Sequence, residues 1–151
     1  MLRPLTGKDD SALQSEGYID IDATGNLVAA HDAATAQLGA PWRMPTDEEY
    51  DDLFYYCDWT WTTKNGVHGY EVRGRDDYAS NRIFLPAAGY GYDSNLYHTG
   101  SYGGYWSSTS DSSASNDAWS LYFGSDSFDY FDLSGCYRYD GQSVRPVRDA
   151  D

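Results

Sequence analysis

Hydrophobic and polar positions fall into two regimes along the chain. Near the start, "GYIDIDATGNLV" alternates Tyr18, Ile19, Asp20, Ile21 and Asp22 before Thr24-Gly25-Asn26, which predicts a strand, a turn and a second short strand. The alanine-rich "AAHDAATAQLG" ends at Gly39 and predicts a short helix with a glycine stop. In "PTDEEYDDLFYYC", Thr46 stands three residues before Glu49, the spacing of a capping box, and acids crowd the first turn, where the helix dipole favours them. Tyr50, Leu53 and Phe54 then share one face at helical spacing.

After Cys57 the helical period stops. "WTWTT" and "GYEVRG" are β-rich, with Asn65-Gly66 between them as a hairpin signal, and "RIFLPAAGY" follows as a buried strand. From Tyr90 to Asp140 the chain turns to Gly, Ser, Asp and Tyr, with apolar islands only at "YWSST" and "AWSLYF", before "QSVRPV" closes it as a strand. Helices first, then many short strands and long loops, predict a single α+β domain over residues 1–151.

A chain of 151 residues buries roughly 70% of its unfolded surface, enough for one core without staples. The hydrophobic content of 40% is low for that core, so the 15 Tyr, 5 Trp and 5 Phe must carry it. A formal net charge of -14 excludes the basic footprint that nucleic acid and anionic membranes require. No stretch has the length of a membrane span, so membrane insertion is not expected, and residues 1–28 lack the apolar core of a signal peptide. Cys57 and Cys136 sit in unlike contexts and read as free thiols.

Reaction chemistry finds little support. There is no nucleophile elbow, phosphate loop, zinc-type His/Glu pattern or dinucleotide fingerprint, and His31, His68 and His98 share no ligand spacing. Asp20, Asp22 and Thr24 touch on a calcium-loop spacing, but His31 stands where that loop needs its bidentate acid, so a hairpin turn is the better reading. No catalytic residue, metal site or cofactor is expected.

"WRMPTDEEYDDL", "CDWTWTTKNGVHGYEV", "IFLPAAGY", "YWSST" and "GQSVRPV" occur in that order over about residues 29–148. Together they resemble the major paralogous domain of Bacteroidetes and Fibrobacter surface proteins. The resemblance implies a C-type-lectin-like fold with two helices, short antiparallel strands and long loops, related to that of the formylglycine-generating enzyme. It also implies kinship with the variable target proteins of diversity-generating retroelements. In those proteins a C-terminal region is rewritten at the adenines of a template repeat and displayed as a ligand-binding surface. Residues 1–88 would then be scaffold and 89–147 the variable region, on a phage or cell surface.

The mechanism leaves a trace that the sequence can be tested for. Template AAC codons randomised at both adenines become NNC, which cannot encode Lys, Glu, Gln, Met or Trp. From Gly89 to Tyr137 the chain has no Lys, Glu, Gln or Met, and only Trp106 and Trp119 break the rule. Trp106 belongs to the "YWSST" motif and fits a fixed position; Trp119 fits only as an unvaried one. In sequences of the resembled group Asn is frequent where this chain has Tyr92, Tyr97, His98, Tyr102, Asp117, Tyr122, Asp129, Phe131 and the run from Asp132 through Leu133 to Cys136.

Physical chemistry points to the same segment. Tyr, Ser, Gly and Asp are the residues of antibody paratopes, because Tyr offers large rigid contact area at low entropy cost and small residues adapt their hydrogen bonds. Nine of the 15 tyrosines lie between residues 90 and 139. The expected anchors are Tyr92, Tyr102, Tyr122, Phe131, Tyr137 and Tyr139, oriented by Asp93, Asp117, Asp129 and Asp140, with Trp119 turned outward only by a twist or bulge. The expected partner is a protein or other macromolecular receptor, basic or hydroxyl-rich, and not nucleic acid. Competing readings are an unvaried adhesive or structural surface domain and a calcium-dependent lectin.

Overall fold

The computed structural model describes residues 12, 15, 20–113, 117–125 and 132–150, with Asp132 and Leu133 described by backbone alone. Helix α1 (Ala33–Leu38) is short because Gly39 follows it at φ 75°, and it presents only Ala34 to the interior. Asp32 caps it, accepting from Thr35 N at 2.8 Å with one carboxylate oxygen and from Met44 N at 2.8 Å with the other. Helix α2 (Asp47–Tyr56) forms as its sequence dictates: Thr46 Oγ1 accepts from Glu49 N and Glu49 Oε2 accepts from Thr46 N. Arg43 clamps the same Glu49 with both terminal nitrogens, at 2.6 and 2.7 Å, and those bonds first of all hold the Glu49 carboxyl below its usual range. Tyr50 is the fully buried residue of α2, and Leu53 packs partly buried beside it.

Beyond α2 the described residues are strand, turn and irregular chain apart from a 3-10 turn at Asp76–Tyr78. Strands β1 (Cys57–Lys64) and β2 (Val67–Gly74) are joined by Asn65 at φ 53° and Gly66 at φ 80°, the left-handed pair that a two-residue hairpin requires. Strand β3 (Arg82–Pro86) completes an antiparallel sheet in the order β1-β2-β3. Strands β4 (Tyr90–Tyr92) and β5 (Asn95–Tyr97) make a separate short hairpin. Strands β6 (Tyr102–Ser110), β7 (Asp117–Gly124) and β8 (Asp132–Tyr137) form the third sheet, also antiparallel. Of the hairpin anticipated near the N-terminus, the described residues form one bridge, between Ile21 and Leu27, and Tyr18 and Ile19 lie outside them. Its turn is held by Asp22 Oδ1, which accepts from Thr24 N, Thr24 Oγ1 and Asn26 N.

This architecture corrects the α+β, C-type-lectin-like expectation. The fold is β-rich: strand accounts for 46% and helix for 17%, the helices are short, and the helix and strand arrangement of the C-type lectins is not found among the described residues. The physical reason lies in two places. The alanine run offers too small an apolar face to make α1 a packing layer, and among the described residues it is α2 that packs on the sheets. The Gly/Ser/Tyr-rich segment, expected as long loops around two apolar islands, pairs more fully: β4 to β7 take up most of residues 90–110 and all of 117–124. Small residues there make room for rings opposite them.

Phe123 shows how. It is fully buried, and the rings of Trp59, Trp61, Tyr70 and Tyr105 surround it with centroids 5.2 to 6.5 Å away. Its cross-strand partner is Gly103, where a Cβ would lie 2.2 Å from Phe123 Cζ. Tyr50, Val72, Leu85, Ala87 and Leu121 complete this core, which joins the β1-β2-β3 and β6-β7-β8 sheets through aromatic edges. Burial pushes the Tyr105 hydroxyl up to about 12, while it donates to Pro86 O at 2.7 Å.

The closing "QSVRPV" segment is extended but is not a strand; it touches the fold at two isolated bridges. Ser143 bonds to Gly104 and Trp106 on the free edge of β6, and Val147 exchanges both backbone bonds with Arg43. Pro146 has no N–H to extend the pairing.

Candidate binding face

Alternation along the third sheet puts Tyr102, Tyr122 and Cys136 on the face away from the core, with Tyr105, Leu121 and Phe123 on the other. After Tyr137 the chain leaves β8 and rejoins the sheet beyond β6, crossing the face that carries Ser120, whose side chain is fully buried. Along this crossing Tyr137 O accepts from Asp140 N, and Gly141 exchanges two 2.7 Å backbone bonds with Gly91. That pair of hydrogen bonds fixes the β4-β5 hairpin against residues 137–141.

The result is a ridge of tyrosines. Tyr90 stacks on Tyr97 and on His98, meets Tyr102 edge-on at 5.6 Å, and Tyr102 stacks on Tyr122 at 6.1 Å. Two residues beyond Tyr90, on the same side of β4, Tyr92 meets Tyr139 at 6.0 Å, and Tyr139 stacks on Tyr137 at 5.0 Å. Tyr92, Tyr97 and Tyr137 are 42%, 39% and 54% exposed, too open to serve as core.

Carboxylates accompany the rings. Asp117 is the cross-strand partner of Tyr137, and Asp140 follows Tyr139. Asp111 and Asp117 share the space over Gly135, where a Cβ would meet Asp111 Oδ2 at 2.6 Å and Asp117 Oδ2 at 3.2 Å. Burial first, and then the charge of Asp117, raise the Asp140 carboxyl above its usual range. The Cys136 thiol is raised by burial, against a hydrogen bond from Ser120 Oγ at 3.1 Å, with Asp140 and Asp117 adding to the rise. Tyr102 is pushed well above an ordinary phenol by burial and then by Cys136, Tyr122, Tyr90 and Asp140. Tyr139 is raised by desolvation, then by Tyr137, Asp140, Tyr92 and Asp117.

These shifts carry a prediction. A carboxyl raised in the folded state contributes its full stability below the unfolded pKa and loses it as pH climbs through the folded one. Asp140→Asn should therefore raise Tm at pH 7 by about 1–2 °C, the scale of a partly solvated charge repulsion in a domain this size. The gain should disappear at pH 3, below the usual carboxylate pKa of about 3.9. Melting curves at the two pH values check this; an equal gain at both would assign the effect to packing instead of charge.

Of the residues anticipated from sequence, the structure gathers Tyr92, Tyr97, His98, Tyr102, Tyr122, Cys136, Tyr137, Tyr139, Asp117 and Asp140. Asp93 sits exposed at the β4-β5 turn with φ 52°. Trp119 is half-buried opposite the β6 irregularity between Trp106 and Ser110, its carbonyl accepting from Ser107 Oγ, and it joins no ring contact among the described residues. Leu133 pairs through its backbone with Leu121. Asp129 and Phe131 lie outside the described residues. Two members were missed: Tyr90, which links the two halves of the ridge, and Gln142, whose Oε1 is buried against Gly104 without a hydrogen-bond partner among the described residues. The i, i+2 spacing of Tyr90 and Tyr92 was the available signal for the first; nothing local marks the second.

No group of three or more His, Cys, Asp or Glu among the described residues is arranged to hold a metal ion. No helix among them is long and apolar enough to cross a membrane. Fold and face thus define an antiparallel β domain that presents clustered aromatic rings beside carboxylates. The chain belongs to the family described as Domain of unknown function (DUF8237), whose model matches residues 59–148 and so takes in the ridge and most of its supporting sheets. Neither the curated proteins nor the solved structures contain a match to it.

Proposed function

We propose that this chain is a ligand-binding protein whose tyrosine ridge recognises a macromolecular partner without chemical transformation. The observation that carries the reading is the exposure of Tyr92, Tyr97 and Tyr137 on two ring groups that share strand β4, when Phe123 and its neighbours already supply the aromatic core. Rings left open in that number are an interaction surface and not ordinary exterior. Rigid tyrosines among small and acidic residues make adaptable contacts at low entropy cost.

The same reading extends to origin: the face is a diversified one, rewritten by a retroelement. Its support is the composition of residues 89–137, where every residue type except the two tryptophans is reachable through NNC codons. Neighbouring DNA with a reverse transcriptase and a near-copy of codons 89–147 differing at adenines is the expected finding, and its absence removes the genetic part alone.

Binding is tested by selection from a peptide display library on the full chain. Peptides that enrich should lose at least about tenfold in affinity on a Tyr92→Ala/Tyr137→Ala variant whose melting curve matches the parent. Enrichment that is equal on both proteins, or no enrichment, overturns the reading.

A further inference from the structure

At the junction of the β4-β5 hairpin and residues 137–141, three rings and two carboxylates come together, with Arg138 the one basic residue of that segment and its Nε and Nη2 buried. Tyr139 lies between Tyr137, parallel at 5.0 Å, and Tyr92, inclined by 63° at 6.0 Å. Asp117 stands across the strand from Tyr137, and Asp140 ends the turn. The ion pairs of the described residues use Glu49, Asp58, Glu71 and Asp149, and none involves Asp117 or Asp140. Nothing acting on the Asp140 carboxyl lowers it; both influences raise it.

We propose that Tyr92, Tyr137 and Tyr139, with Asp117 and Asp140, form the receptor for one arginine or lysine side chain of a polypeptide ligand. The inference rests on the ligand-binding reading of this face and adds to it the chemistry of the anchor. Tyrosine faces attract a cation through the ring quadrupole, and the effect grows as the cation is desolvated. Two carboxylates held close repel one another until a positive charge enters between them, so the ligand relieves a repulsion already built into the fold. A neutral sugar could stack on the rings but would leave that repulsion in place. The net charge of -14 draws basic ligands in and turns nucleic acid away.

The test uses the isotopically labelled full chain and three probes at fixed ionic strength: acetyl-Gly-Arg-Gly-amide, the same peptide with neutral citrulline, and maltose. The arginine peptide should give saturable amide shifts at Tyr92, Asp117 and residues 137–141. Citrulline should bind about tenfold more weakly, as should the arginine peptide to Asp140→Asn and to Tyr139→Leu, while Tyr139→Phe should restore binding. Equal shifts with citrulline or maltose, arginine shifts spread over other acids, or unchanged binding to Asp140→Asn overturns the proposal. Display-selected peptides that occupy the ridge with no Arg or Lys at this corner would keep the binding reading and remove the cation. A library that yields no binder removes the binding reading itself.

Discussion

Phe123→Ala is expected to cost about 3–5 kcal/mol of unfolding free energy, the largest effect of any single truncation in the chain. The ring is fully buried and touches four other aromatic rings drawn from two sheets, so its removal opens a cavity that neither sheet can close alone. Gly103→Ala should damage the same place from the other side, by about 1–3 kcal/mol, because the new methyl falls within the ring's van der Waals space. The two changes are not independent. With Phe123 truncated, the added methyl enters vacant volume, so the double variant should be clearly more stable than the sum of the single losses predicts. Urea unfolding of the four proteins measures this coupling. A Gly103→Ala cost that is the same in both backgrounds would show that the methyl strains the backbone, and that the ring is not its obstacle.

Asp32→Ala is expected to follow at about 2–4 kcal/mol, a large loss for a residue outside the aromatic core. The carboxylate is 3% exposed and uses both oxygens, one for the α1 cap and one for Met44 N. Losing the cap costs about 1 kcal/mol, and orphaning the buried Met44 N–H about 1–3 kcal/mol more. Asp32→Ser separates the two effects, since serine can cap the helix but cannot reach Met44. It should recover about 1 kcal/mol of the loss, measured by the same denaturant titration. Full recovery would mean that Met44 N finds another acceptor.

What could be read from sequence was whatever a few adjacent residues decide. Thr46 and Glu49 determine their capping box within one turn, and Asn65-Gly66 sets its hairpin through backbone dihedrals alone. That pairing around the islands "YWSST" and "AWSLYF" reaches further than expected has the opposite cause. Gly103 looks like a strand breaker until Phe123, twenty residues later, is seen to need the space above it. Both predicted helices form, but the α+β expectation failed because an alanine run specifies helix and gives little to bury. At the ridge, composition singled out Tyr92, Tyr102, Tyr122, Tyr137 and Tyr139, because an excess of one residue type is visible without knowing the fold. Their grouping into a neutral run and an acidic corner depends on the crossing after β8, which no local pattern encodes.

The pair of backbone bonds between Gly91 and Gly141 has a consequence for how this surface can change over time. The joint that brings Tyr92 to Tyr139 and Asp140 is made of main chain, contributed by residues that have no side chains. Replacing any of the surrounding tyrosines or aspartates leaves both donors and both acceptors of that joint intact. On the proposed function, assembly would rest on main chain and recognition on side chains, so a lineage could exchange one ligand for another without having to rediscover the fold.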